Sequence, residues 1–177
     1  LNTSDFDIIL EGKVLLYRDS ECEYPVVEIH ELLHVFGFNH INNPKSLMHN
    51  ISACDQRITP DMTELIQSLY AVEPLPDFYF SNVSATKKGR YLDFELTVEN
   101  GGIVDSGGTM LDVVTDGAVV DSFEIKAISI GSGRILKVTN AKLPSRSVEE
   151  IKFVVDPDDT IDEIKEDNNE VQLVVSG

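Results

Sequence analysis

The four histidines of the chain, His30, His34, His40 and His49, all fall within "HELLHVFGFNH" and the "SLMHN" that follows it. His30 and His34 are i and i+4. On a helix that spacing projects both rings from one face, about one turn apart. Two imidazoles so placed can reach a single metal ion at about 2.0–2.1 Å. Gly37 stands where such a helix must stop, because glycine tolerates the left-handed conformation that ends it. A chain that reverses there can return His40 as a third ligand. Three protein ligands leave a fourth position for water, the layout of a catalytic rather than a structural zinc. Glu31, beside the first ligand, is placed to take a proton from that water without ligating the metal, and zinc lowers the water's pKa toward about 7. The chemistry this predicts is peptide-bond hydrolysis, with Glu31 passing the proton to the leaving amine.

Two helices have to position these groups. The first starts at Pro25, whose fixed φ suits a helix start, and runs through "VVEIHELLHVF". The second is "PDMTELIQSLYA", with Thr59 as its cap, Pro60 in its first position and Asp61 in its first turn. Leu65, Ile66 and Leu69 form its apolar stripe. Upstream, "DFDIIL" and "KVLLY" read as short strands. Cys22 and Cys54 bracket the histidine cluster. They read as a disulfide, with two buried thiols as the alternative and a metal-ligating cysteine as a third reading. A bridge closing that loop contributes about 3–4 kcal/mol on the loop-entropy model.

Beyond the second helix the grammar changes. Pro74 and Pro76 remove backbone donors and favour extended chain, so residues 73–77 read as a linker. From there the apolar period is two, with Leu92, Phe94, Leu96 and Val98 on one face of "YLDFELTVEN". "TMLDVVTDGAVVDSFEI" is two strands around Asp116-Gly117, a strong hairpin signal. With "FYFSNVSAT", "RILKVTN", "VEEIKFVVD" and "EVQLVVS" the count is about seven short strands, the mark of an immunoglobulin-like β-sandwich. Near the C-terminus Asp156, Asp158, Asp159, Asp162, Glu163, Glu166 and Asp167 crowd together. Hard oxygen ligands suit calcium, but the spacing is not that of an EF-hand loop. A solvated acidic turn is the first reading and a calcium site the second.

The formal charge of −17 argues against a nucleic-acid partner, whose phosphates need Lys and Arg. No apolar run is long enough to span a bilayer. The chain opens on Leu1 and reads as a processed or trimmed product. Charge does not mark the domain boundary; the change of period and the prolines do.

The whole pattern of residues 25–70 resembles the metzincin proteases, and among them the matrixin-like branch. "HELLHVFGFNH", the "NPKSLM" that places Met48 after His40, and "ITPDMTELIQSLY" carry the resemblance. It implies that His30, His34 and His40 bind zinc, that Glu31 is the general base, and that Met48 forms the floor below the metal without ligating it. Ile41 and Asn50 depart from the matrixin pattern, which usually has Ser and Pro there, so the wall of the substrate pocket differs. His49 is either a substrate contact or a surface, hydrogen-bonded residue. Matrixin-like domains also carry a sheet before the zinc helix, whereas here residues 1–24 precede it. A missing upstream segment, a partner chain and a reduced protease remain open. Residues 78–175, with "VENGG" and "FVVDPDDTIDEIKEDNNEVQLVV", resemble the CARDB family, cell-adhesion-related modules with an immunoglobulin-like fold.

The expected architecture is therefore α+β. Residues 1–72 are the C-terminal part of a metzincin catalytic domain with few strands, 73–77 a linker, and 78–177 an all-β sandwich. The expected function is an extracellular or cell-surface zinc endopeptidase acting on peptide or protein substrates. The alternative is a non-catalytic adhesion protein whose metzincin half is truncated and inactive.

Overall fold

A computed structural model describes residues 6–17 and 21–175. The chain divides into two compact units: Ile9–Glu73, and Pro74 onward together with Phe6–Ile8.

In the smaller unit, helix α1 (Val26–Val35) begins after Pro25, whose carbonyl accepts the Ile29 N–H at 3.1 Å. The helix buries Val26, His30 and Leu33, an i, i+4, i+7 face. It ends in a Schellman motif. Gly37 adopts φ +88°, its N–H reaches the His34 carbonyl at 3.0 Å, and the Phe38 N–H reaches the Leu33 carbonyl at 3.1 Å. Helix α2 (Pro60–Leu69) has Pro60 at its start and Thr59 at its cap position. The Thr59 hydroxyl makes no capping bond; its carbonyl instead accepts from Met62 and Thr63. Val26, Leu33, Leu47, Met48 and Met62 form a small core, with Tyr24, Ile29, Phe38 and Ile66 against it.

Two expectations for this unit are corrected. The apolar stripe of α2 is not Leu65-Ile66-Leu69. Met62 and Ile66, one turn apart, face the core, which turns Leu65 and Leu69 outward to 49% and 56% exposure. The upstream segments do not form strands. Among the described residues 6–17 there is one bridge residue, Asp7, and no strand; Asp5 of "DFDIIL" lies outside the described residues. A strand needs a neighbour for its N–H and C=O groups. Among its described residues the unit has no sheet to provide one, so the "few strands" expected of it reduce there to the isolated parallel bridge Ser46–Arg57. Leu10 and Tyr17 are left 70% and 87% exposed.

The larger unit is a seven-stranded sandwich. One sheet has the order β1 (Phe78–Lys88), β2 (Tyr91–Asn100), β5 (Gly133–Lys142). The other has the order β4 (Ala118–Ile125), β3 (Thr109–Thr115), β6 (Glu150–Val155), β7 (Glu170–Val174). All pairings are antiparallel. The alternation in the sequence is the alternation in burial: Leu92, Phe94, Leu96 and Val98 are buried, and so are Leu111, Val113, Ile151, Phe153 and Val155 from the facing sheet. Phe94 meets Phe153 across the interior with ring centroids 4.9 Å apart. The β3–β4 turn is two residues long, with Asp116 at φ 51° and Gly117 at φ 75°, as a type I′ hairpin requires.

The linker reading also needs correction. Residues 75–77 form a strap bonded into the sandwich rather than free chain. Leu75 and Pro76 carbonyls accept from Ile103 and Ile164, and the Asp77 N–H donates to Asn100 Oδ1 at 3.1 Å. Proline lacks an N–H but keeps its carbonyl, and here that carbonyl is used. Gly102 lets the strap approach closely: a Cβ there would lie 2.4 Å from the Leu75 oxygen and 2.5 Å from the Pro76 carbonyl carbon.

Candidate metal centre

The turn of α1 brings His30 Nε2 and His34 Nε2 to 3.1 Å, and the reversal at Gly37 returns His40 Nε2 to 3.1 Å from each. The three ring nitrogens form one group that could hold a metal ion. His30 is buried, His34 half-buried and His40 exposed, so the group opens on one side.

Backbone carbonyls set the ring tautomers. His30 Nδ1 donates to the Leu47 oxygen at 2.5 Å, and His34 Nδ1 donates to the Phe38 oxygen at 2.7 Å. The proton on each ring is thereby placed at Nδ1, and the Nε2 lone pairs are left pointing inward. Lone pairs facing one another at hydrogen-bond distance repel unless a proton or a cation lies between them. A triangle with 3.1 Å edges has a point about 2.0–2.1 Å from all three corners, roughly 1 Å out of its plane. The residues therefore fit a zinc ion, which the three Nε2 atoms of His30, His34 and His40 would hold.

The loop after the third histidine holds this arrangement. The Ile41 N–H donates to the Met48 oxygen at 2.8 Å, and the Leu47 N–H donates to the Arg57 oxygen at 3.0 Å. Leu47 and Met48 thus anchor the ring of His30 and the backbone beside His40 with successive carbonyls. Met48 itself is 1% exposed, and the buried Ser46 hydroxyl accepts its N–H at 3.2 Å. Buried Gln56 staples the loop, donating to the Ile51 and Pro44 oxygens and accepting from the Ala53 N–H. Sequence reasoning missed Ser46 and Gln56, and neither carries a motif or a period that would single it out. His49 stands outside the triad, with Nδ1 engaged by the Ile51 backbone, which fits the hydrogen-bonded alternative.

Glu31 is half-buried on α1. It lines a hollow of about 460 Å³ together with Leu15, Leu16, Tyr17, Val27 and the Cys22–Cys54 pair. The two cysteines form a disulfide with Cα atoms 5.2 Å apart, so neither is a metal ligand or a free thiol. The bridge ties the approach to α1 to the segment after the methionine turn. Reduction is expected to remove about 2–4 kcal/mol of stability and to weaken zinc retention at the same time. Thermal melts and zinc release, with and without reductant, check this. Unchanged zinc release in the reduced protein would mean that the bridge does not support the site.

Among the described residues the acidic run gathers no set of three carboxylate ligand atoms. The histidine triad is the one group of three His, Cys, Asp or Glu ligand atoms brought together among the described residues. Asp156 accepts from Thr109 and from Thr160 and Ile161, which close a turn on it. Burial alone would push its carboxyl up, but those hydrogen bonds outweigh burial and hold it below the usual range. Both of its oxygens accept from protein donors.

A two-sheet β-sandwich joined to a helical unit with a histidine triad is the class that fold and site define. Residues 75–173 match the CARDB family model, 99 of the 177 residues, and the chain belongs to that family. Residues 7–71 match the model of the matrixin family of peptidases. The solved structure of a domain from Methanosarcina acetivorans, named as a cell surface protein, is similar to 58% of this chain over 91% of its own length, at 20% identity and a TM-score of 0.50. The CARDB domain of a Pyrococcus furiosus protein, solved in complex with di-metal ions, aligns with 59% of this chain and 96% of its own length at 18% identity and a TM-score of 0.47. Comparison with curated proteins finds no match.

Proposed function

We propose that the chain is a zinc-dependent endopeptidase with an accessory CARDB sandwich, working outside the cell or at its surface. The observation that carries this reading is the convergence of three imidazole Nε2 atoms, two of them with their tautomers set by backbone carbonyls. The match of residues 7–71 to matrixins supports it. His30, His34 and His40 are the zinc ligands. The zinc, when bound, supplies Lewis acidity that lowers the pKa of water to about 7 and polarises a carbonyl. Glu31 takes the proton from the attacking water on its carboxylate and delivers it to the amide nitrogen as the bond breaks. Met48 supports the ligands from below. The hollow beside Glu31, walled by Leu15, Leu16 and Val27, takes an apolar side chain of the peptide. An extracellular location is supported by the disulfide, which persists in oxidising surroundings, and by membership of the CARDB family.

The second reading is a non-catalytic adhesion protein. The exposed Leu10, Leu15 and Tyr17, and the absence of a sheet among the described residues of the smaller unit, favour it. Incubation of the zinc-loaded chain with an unfolded protein separates the two. The peptidase reading expects cleavage that a zinc chelator abolishes and added zinc restores. Zinc binding with no cleavage of any unfolded substrate would leave the adhesion reading.

A further inference from the structure

The loop from Pro44 to Arg57 supplies the carbonyl that orients His30, yet it has little regular structure of its own. Its ladder contact is the single parallel bridge of Ser46 and Arg57. There the Arg57 N–H donates to the Lys45 oxygen at 3.1 Å, and the Leu47 N–H donates to the Arg57 oxygen at 3.0 Å. Even a two-stranded pair is marginal in water, and one bridge is less than that. A side chain closes the loop instead. Gln56 is 1% exposed. Its Nε2 donates to the Ile51 oxygen at 2.8 Å and to the Pro44 oxygen at 3.2 Å, and its Oε1 accepts the Ala53 N–H at 3.0 Å. Both Nε2 protons are used. The partners also fix which way the amide points, because a flip would set Oε1 against two carbonyls. Gln56 thus gathers the loop beside Arg57, whose carbonyl holds the Leu47 N–H. The Leu47 carbonyl in turn accepts the His30 Nδ1–H at 2.5 Å.

We infer that Gln56 is a positioning residue for the metal centre: through the loop it fixes the Leu47 carbonyl, and through that carbonyl the ring and tautomer of His30, taking His30, His34 and His40 as the zinc ligands proposed above. The disulfide holds the same loop at Cys54 and does not replace the bonds to Pro44 and Ile51. His34 is oriented separately. Its Nδ1 donates to the Phe38 oxygen at 2.7 Å, in the turn that ends α1, and that turn rests on the Leu33 and His34 carbonyls. None of the Gln56 side-chain bonds goes to that turn. Loss of the Gln56 amide therefore loosens one ring and spares the other, whereas a general loss of stability loosens both. Methionine at this position keeps about the length of glutamine and neither donates nor accepts in its place. It leaves two buried carbonyls and one N–H unpaired, and such groups are satisfied only if the loop opens to water.

Gln56→Met in the full, zinc-loaded chain is the test. Nitrogen-15 NMR reads hydrogen exchange at the Nδ1–H of His30 and of His34, and dialysis against a chelator reads zinc release. Outer partners of metal ligands contribute about 10–100-fold in affinity, and Gln56 acts one link further out, so the low end applies. The His30 Nδ1–H is expected to exchange about tenfold faster and zinc to leave about tenfold faster, with the His34 Nδ1–H unchanged. Equal acceleration at both rings, or none at His30, overturns the assignment of Gln56. The same comparison in the metal-free chain keeps this apart from the zinc reading. A wild type that binds no zinc, with His30 still loosened selectively in the variant, removes the metal and leaves the positioning of His30 standing. Should the variant fail to fold, wild type decides, by exchange in urea below the unfolding transition. The Gln56 amide protons and the His30 Nδ1–H sharing one urea dependence, distinct from that of the His34 Nδ1–H, upholds the assignment; separate dependences for Gln56 and His30 remove it.

Discussion

Glu31→Gln is expected to retain its zinc and to lose hydrolysis by about 10²–10⁴-fold, the usual contribution of a positioned general base. Glu31 is not among the three groups that gather around the candidate metal position, so its replacement removes no ligand. Gln has the same shape and keeps the wall of the hollow that Glu31 shares with Val27 and the disulfide. What it lacks is a carboxylate able to take a proton. Neither helix α1 nor the methionine turn depends on that charge, since the core contacts come from Val26, Leu33, Leu47 and Met48. Zinc content equal to wild type, an unchanged melting temperature and turnover reduced by orders of magnitude are the expected set. Turnover at the wild-type level would mean that another group accepts the proton.

His34→Ala is expected to lose most of its metal. His34 supplies one of three Nε2 atoms, and its Nδ1 is held by the Phe38 carbonyl. Removing only the hydrogen-bond partner of a ligand costs about 10–100-fold in metal affinity. Removing the ligand itself must cost more, because the remaining pair gives no tripod. The fold should change less. His34 is only half-buried, and the turn at Gly37 rests on main-chain bonds to the Leu33 and His34 carbonyls, which alanine retains. Metal analysis after dialysis, with a thermal melt of the apo form of each protein, checks both halves. Full zinc occupancy in His34→Ala would place the ion elsewhere.

The parts of the molecule that were legible in the sequence are those set by local chemistry. The i, i+4 histidines, the glycine that ends their helix and the return of His40 depend on spacing alone, and the three rings converge. The seven strands followed from alternation and turn residues, and Asp116-Gly117 adopts the two left-handed conformations that its hairpin needs. What could not be read depends on partners distant in sequence. Which face of α2 is buried was decided by Met62 meeting the core of a different segment, not by the count of leucines. "KVLLY" has the composition of a strand, but the described residues of its unit form no sheet for it to join. The prolines of the supposed linker suggested free chain, yet their segment is fastened by Asn100, Ile103, Ile164 and Glu163, residues far along the sequence: 23 positions on in the pair Asp77–Asn100 and 85 in the pair Phe78–Glu163. The acidic run suggested either solvent or calcium. Asp156 and Glu163 are instead turned inward onto backbone donors, a role invisible without the sandwich around them.

Zinc K-edge X-ray absorption on the purified, zinc-loaded chain tests the central claim most directly. The account predicts three imidazole nitrogens and one further light atom at about 2.0–2.1 Å, with the imidazole signal reduced in His34→Ala. A shell containing sulfur at about 2.3 Å, or a spectrum unchanged by loss of His34, would contradict it.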